Sequence, residues 1–92
     1  MDAEVRLKHI GDALDQLAGD TSIPRNIRRG AKEAKDILSG KEPNRDSDEP
    51  EEMDVRIARA NSILDQLADD PNIPLHGRTL IWNIITQLET VE

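Results

Sequence analysis

The segment Leu14-Asp15-Gln16-Leu17-Ala18-Gly19-Asp20-Thr21-Ser22-Ile23-Pro24 returns fifty residues later as Leu64-Asp65-Gln66-Leu67-Ala68-Asp69-Asp70-Pro71-Asn72-Ile73-Pro74, with eight of the eleven positions identical. At the same offset Arg28 meets Arg78, and Leu38 meets Leu88. Self-similarity at a fixed spacing marks a repeated supersecondary unit. Two unrelated helices of similar composition would not normally share the polar break and its Ile-Pro pair as well.

Apolar periodicity on either side of the break makes the unit helical. Ala3, Leu7, Ile10, Leu14 and Leu17 step by four and three, one stripe on a helix, and Met53, Ile57, Ala60, Leu64 and Leu67 repeat it. Beyond the break a second stripe follows, Ile27, Ala31, Ala34 and Leu38 in the first copy and Gly77, Ile81, Ile84 and Leu88 in the second. Ser22 and Asn72 are expected to cap these second helices, with Pro24 and Pro74 in the first turn, where a missing N–H costs nothing. Asp20 with Arg28, and Asp70 with Arg78, are expected to bridge the two turns. The pattern predicts an all-α, antiparallel four-helix bundle built from a duplicated helical hairpin. The first hairpin covers about 2–39, an acidic linker about 40–52, and the second hairpin about 53–91 of one domain, 1–92.

Ninety-two residues allow one domain, since a chain of this size buries only about 60% of its unfolded surface. With no cysteine there is no disulfide, thiolate metal site or cysteine nucleophile. The longest uncharged stretch near the C-terminus, Thr79 to Leu88, is about half a membrane span. The opening MDAEVRLKHIGD carries acids where a secretory signal carries lysines, so a cytoplasmic protein without membrane contact is expected.

The net charge of -7 is concentrated. Glu42 to Asp54 holds seven acids against Arg45, together with Pro43, Ser47 and Pro50, and reads as a linker. Pro24 to Lys41 holds six bases against Glu33 and Asp36. Arg25, Arg28 and Lys32 share one flank of the second helix with Lys35, and Arg29 lies beside them. At the corresponding positions the fourth helix carries Leu75, Arg78, Trp82 and Ile85. Three charged residues have become large apolar ones, and leaving each in water forgoes roughly 1.5–3 kcal/mol. Something is expected to cover them.

Sites of chemistry are not evident. Asp46-x-Asp48 opens like a calcium loop but lacks the glycine and the closing glutamate. His9 and His76 have no partner at the spacing of a helical zinc site, and no serine or cysteine that the sequence pairs with them. The five glycines are scattered singly, so there is no phosphate-cradling loop. No cofactor and no metal are implied, and the chain is expected not to be an enzyme.

Ser62 to Glu89 (SILDQLADDPNIPLHGRTLIWNIITQLE) and Asp20 to Leu38 (DTSIPRNIRRGAKEAKDIL) resemble uncharacterised protein family 0147 of the UPF series, small archaeal proteins. The resemblance covers nearly the whole chain and departs in the acidic Glu42–Glu52 linker. It implies a four-helix bundle of bromodomain-like up-and-down topology and no established activity. A weaker likeness to HEAT repeats, carried by Asp20, Pro24, Arg28 and Asp70, Pro74, Arg78, favours an interaction module.

Two functions follow from the flanks. The first is a non-enzymatic protein–protein interaction module, self-associating as a homodimer through Leu75, Arg78, Trp82 and Ile85. The alternative is an RNA- or phosphate-associated accessory protein using Arg25, Arg28, Arg29 and Lys32 near a helix N-terminus. A net charge of -7 with one aromatic residue disfavours nucleic acid, so the interaction module ranks first.

Overall fold

The computed structural model describes residues 3–40 and 52–91, and in them the chain is all-helical. Its four helices are α1 (Ala3–Gly19), α2 (Arg25–Ser39), α3 (Met53–Ala68) and α4 (Leu75–Glu89). The acidic segment 41–51 lies outside the described residues. Each helix packs on its neighbour in sequence, and α1 closes the ring against α4. Ile10, Leu14 and Leu17 of α1 meet Ile27, Ala31, Ala34 and Leu38 of α2 in one core with Ala60 and Leu64 of α3 and Ile81, Ile84 and Leu88 of α4. These are the positions the four- and three-residue steps select. The stripes fade toward the start of the first helix in each pair: Leu7 and Ile57 are half-buried, and Ala3 and Met53 are exposed.

Both turns lie at one end of the molecule. Their isoleucines, Ile23 and Ile73, drop into the core, so each turn is anchored by an apolar side chain. The polar part is closed by aspartate. Asp20 Oδ1 accepts the Ser22 N–H at 2.9 Å and Asp70 Oδ1 accepts the Asn72 N–H at 2.8 Å, while the Ile23 and Ile73 N–H groups bond back to the carbonyls of Asp20 and Asp70. These are Asx turns, in which the side chain mimics the backbone of a turn. They correct two expectations. Ser22 and Asn72 do not cap α2 and α4; the residues at the caps are Pro24 and Pro74, with extended ψ of 146° and 154° and no side-chain cap bond. Proline's fixed φ sets the chain for helix entry without a capping oxygen. Nor do the aspartates reach Arg28 and Arg78, because their carboxylates are held by the turn and turned toward the opposite hairpin.

The hairpins are tied across both ends by contacts that recur at positions fifty apart. Asp20 Oδ2 lies 3.2 Å from His76 Nε2 at the start of α4, and Asp70 Oδ2 accepts from Asn26 Nδ2 at 2.8 Å at the start of α2. At the other end Arg6 donates to the Thr90 carbonyl at 2.8 Å, and the guanidinium of Arg56 stands over Gly40. Neither α2 nor α4 has a base in its own last turn, so these arginines supply the positive charge a helix C-terminus favours. Gly40 ends α2 with φ 74°, a left-handed cap that glycine adopts without Cβ strain.

The lateral faces are not equivalent. α2 packs more extensively on α3 than α4 does on α1. Gly30 explains the difference: a Cβ there would stand 2.6 Å from Leu67 Cδ2, so the backbone of α2 lies directly against that leucine. The position fifty residues on is Leu80, a partly buried side chain packed against the core, so α4 has no glycine there to allow the same close approach.

Candidate functional site

The basic flank of α2 is gathered into one place. Arg25, Arg28, Arg29 and Lys32 line a shallow cleft of about 200 Å³, with Ala18 of α1 as its wall. Arg25, Arg29 and Lys32 are exposed; Arg28 is half-buried, and its Nε is buried without a hydrogen-bond partner. No described carboxylate forms an ion pair with any of the four. Farther along the helix, Lys35 pairs with Asp15 of α1.

On α4 the corresponding side chains divide. Leu75 is 78% exposed and Trp82 49% exposed, whereas Ile85 is only 7% exposed and belongs to the core. The expectation that Ile85 is part of an open surface is therefore corrected: at roughly 40° from Ile81 around the helix it falls within reach of the main stripe. Arg78 is half-buried beside the open pair, and its Nε, like that of Arg28, is buried without a partner.

The fold supplies His76 with companions that sequence spacing did not reveal. Ser22 Oγ donates to Asp20 Oδ1 at 2.6 Å and lies 3.2 Å from His76 Nε2, the nitrogen that also faces Asp20. Serine, histidine and aspartate are thus together, yet not in the order that activates a nucleophile. In a working triad the carboxylate holds one ring nitrogen while the other takes the serine proton. Here both oxygens meet the same nitrogen, and the serine proton already goes to the carboxylate. The cluster is a turn clasp. The two Ser22 hydrogen bonds, side chain first and backbone second, hold the Asp20 carboxyl below the usual aspartate range, with His76 assisting.

Between the open ends of α3 and α4 runs a groove of about 870 Å³, with Met53, Ile57, Leu88 and Val91 on its floor and Glu52, Asp54 and Glu89 on its rim. Fifty residues earlier Glu4, Leu7, Lys8, Gly11, Leu38 and Ser39 frame a smaller groove of about 310 Å³ between α1 and α2. Among the described residues no group of three or more His, Asp or Glu is placed to hold a metal ion, and no helix is long and apolar enough to cross a membrane. Asp46 and Asp48 lie outside the described residues.

The sequence profile of the Uncharacterised protein family (UPF0147) matches residues 1–91. The chain is a member of family UPF0147. A UPF0147 protein of Methanosarcina acetivorans is 47% identical over 78 residues, spanning 85% of this chain and 72% of that protein. A UPF0147 protein of Pyrococcus abyssi is 41% identical over 92 residues, spanning 99% of this chain and 98% of that one. A crystal structure of a UPF0147 protein from Thermoplasma acidophilum superposes with a TM-score of 0.82 at 36% identity, covering 97% of this chain and 95% of that one.

For this UPF0147 chain the shared family establishes archaeal relatives and the helical fold, and it assigns no activity. What sequence reasoning missed was the groove. Its signal was present in the substitution of Ala58 for Lys8 across the fifty-residue offset, which strips a charge from the groove wall.

Proposed function

We propose that this UPF0147 chain is a non-enzymatic, cytoplasmic interaction module that self-associates as a homodimer through the outer face of α4. The observation that carries the reading is the exposure of Trp82 and Leu75, seven residues apart on one helical face, where α2 carries Lys32 and Arg25. A two-fold contact would set each Trp82 against the partner's helix, with Arg78 beside it and Ile85 supporting the face from within. Tryptophan and arginine are the side chains most enriched where interfaces concentrate their energy. We further read the two hairpins as a duplicated unit in bromodomain-like up-and-down order. The reciprocal clasps Asp20–His76 and Asp70–Asn26 support that reading.

Light scattering behind size exclusion tests the dimer. The expected mass is twice that of the 10.3 kDa chain, falling to the monomer in Trp82→Lys with helix content kept. A monomeric parent protein, or an unchanged mass in the variant, would overturn it.

A second reading rests on the convergence of Arg25, Arg28, Arg29 and Lys32 around one cleft with no described carboxylate paired to them. It makes the chain an RNA- or phosphate-associated accessory protein. Salt-sensitive co-elution with nucleic acid, lost in a triple Arg→Glu variant of Arg25, Arg28 and Arg29, would favour this reading over the first.

A further inference from the structure

The groove between α3 and α4 combines three properties that a surface needing only solubility does not require. Its floor is apolar, and Met53 remains 37% exposed there. Its rim carries Glu52, Asp54 and Glu89, and among the described residues no lysine, arginine or histidine lines it. Asn61, in its wall, has a side-chain oxygen that is buried and accepts no hydrogen bond. An acceptor buried without a donor is destabilising, and such groups are rare enough to call for an explanation. The oxygen is closed to water as the side chain stands, and rotation of the Asn61 amide toward the groove it lines would present it to a donor there.

The groove between α1 and α2 shows that this chemistry is not a necessity of the fold. There the smaller cleft has Lys8 and Lys35 on its walls and Gly11 in place of the asparagine. The second hairpin has lost both lysines and gained width, an apolar floor and an acceptor.

We propose that the α3–α4 groove docks a basic, amphipathic helical segment of a partner protein. Apolar side chains of that segment would cover Met53 and Ile57, its lysines or arginines would face Glu52, Asp54 and Glu89, and one donor would meet Asn61. Charge selects this occupant. Nucleic acid and anionic lipid surfaces are repelled by the acidic rim. A second copy seated groove to groove would oppose two acidic rims. The chain's own basic flank, Arg25, Arg28, Arg29 and Lys32, has no apolar side chain to offer the floor. From Glu52 to Asn61 the wall of α3 runs for about 14 Å, the length of between two and three helical turns. An amphipathic helix laid in such a groove engages it through residues at steps of three and four.

The probe is a synthetic helix of about twelve residues with leucines at those steps and lysines elsewhere. Two controls accompany it, one with the leucine order scrambled and one with glutamate for lysine. The chain has two methionines and one tryptophan, so the Met53 methyl signal reports on the groove and the Trp82 indole signal on the α4 face. The Lys/Leu helix is expected to shift the Met53 methyl and leave Trp82 unmoved. Affinity is expected to fall by about tenfold or more in Ile57→Glu, in Met53→Glu at the more exposed position, and in Glu52→Lys/Asp54→Lys/Glu89→Lys. Trp82→Lys is expected to leave it unchanged, which separates this site from the proposed dimer face.

Equal binding of the scrambled or glutamate peptide, an unmoved Met53 methyl, or undiminished affinity in the groove variants would overturn the proposal. So would a fall in the mass of the peptide-free protein in Met53→Glu, which would give the groove to a second copy.

Discussion

Replacing Gly30 with alanine tests how the molecule is closed along the α2–α3 face. In an open helical position the change stabilises by about 1 kcal/mol, because glycine has more backbone freedom to lose. Here the new Cβ would stand 2.6 Å from Leu67 Cδ2, 2.9 Å from Cδ1 and 3.1 Å from Cγ. All three atoms are too near, so rotating one methyl away does not clear the space, and Leu67 is itself buried in the core. Overpacking of this kind costs about 1–3 kcal/mol. Set against the helical gain, the variant should be less stable by up to about 2 kcal/mol, and it should not be more stable. Urea denaturation followed by circular dichroism measures this directly. The decisive comparison is the double variant Gly30→Ala/Leu67→Ala: with the leucine removed, the alanine at 30 should recover its stabilising sign, giving a coupling of about 1–3 kcal/mol. Gly19→Ala, with nothing within 4 Å of the new Cβ, provides the uncrowded control. A stabilised Gly30→Ala, or additive effects in the pair, would refute the account of the close approach.

Three further outcomes follow from the clasps and the open face. Asp20 ionises more readily folded than unfolded, so its contribution is present above the unfolded aspartate pKa of about 3.9 and is lost as pH falls through the lower folded value. A carboxyl-carbon NMR titration should place its midpoint below the ordinary aspartate value, with Ser22→Ala moving it upward; an unmoved midpoint would contradict the assigned cause. Arg6→Met removes the charge and the hydrogen bond at the Thr90 carbonyl and should lower stability by about 1 kcal/mol, or about 4–8 °C in Tm, by differential scanning calorimetry. Trp82→Lys uncovers the roughly 100 Å² that the half-exposed indole buries, about 2.5 kcal/mol before the lysine stem recovers part of it. A loss in the monomer well above 3 kcal/mol would make Trp82 a core residue.

The helices were legible because burial in this fold follows one rule. Leu14, Leu17, Ile27, Leu64, Ile81 and Leu88 are selected by the four- and three-residue steps, and all are core. The turns were legible as breaks but not as structures. That Asp20 binds Ser22 follows from local Asx chemistry, whereas its choice of His76 over Arg28 depends on which helix start lies across the end of the ring. No spacing within one hairpin contains that information. Ile85 illustrates the same limit on a helix: its angle places it between stripe and flank, and the packing of the bundle decides. Val91 is buried just beyond the end of α4, three residues after Leu88, where the stripe continues past the helix that carries it.

The distribution of likeness and difference between the hairpins carries the functional argument further than any single residue. Positions that fasten the hairpins together keep their character fifty residues on: Asp20 and Asp70 close the turns, Arg6 and Arg56 stand at the ends of α4 and α2, and Leu17 and Leu67 fill the core. Positions that change from charged to apolar are Arg25 to Leu75, Lys32 to Trp82, Lys35 to Ile85, Lys8 to Ala58 and Lys41 to Val91. Two of these, Ile85 and Val91, are recovered by the core. Burial stabilises an apolar side chain in proportion to the area removed from water, so a 78%-exposed Leu75 and a half-exposed Trp82 return little to the fold that holds them. Stability therefore accounts for the shared positions and for Ile85 and Val91, and it does not account for the exposed Leu75 and Trp82 on the outer face of α4. The exposed apolar pair lies on the second hairpin and the cationic cleft on the first, so the two repeats of one packing scheme present opposite surfaces about a common core.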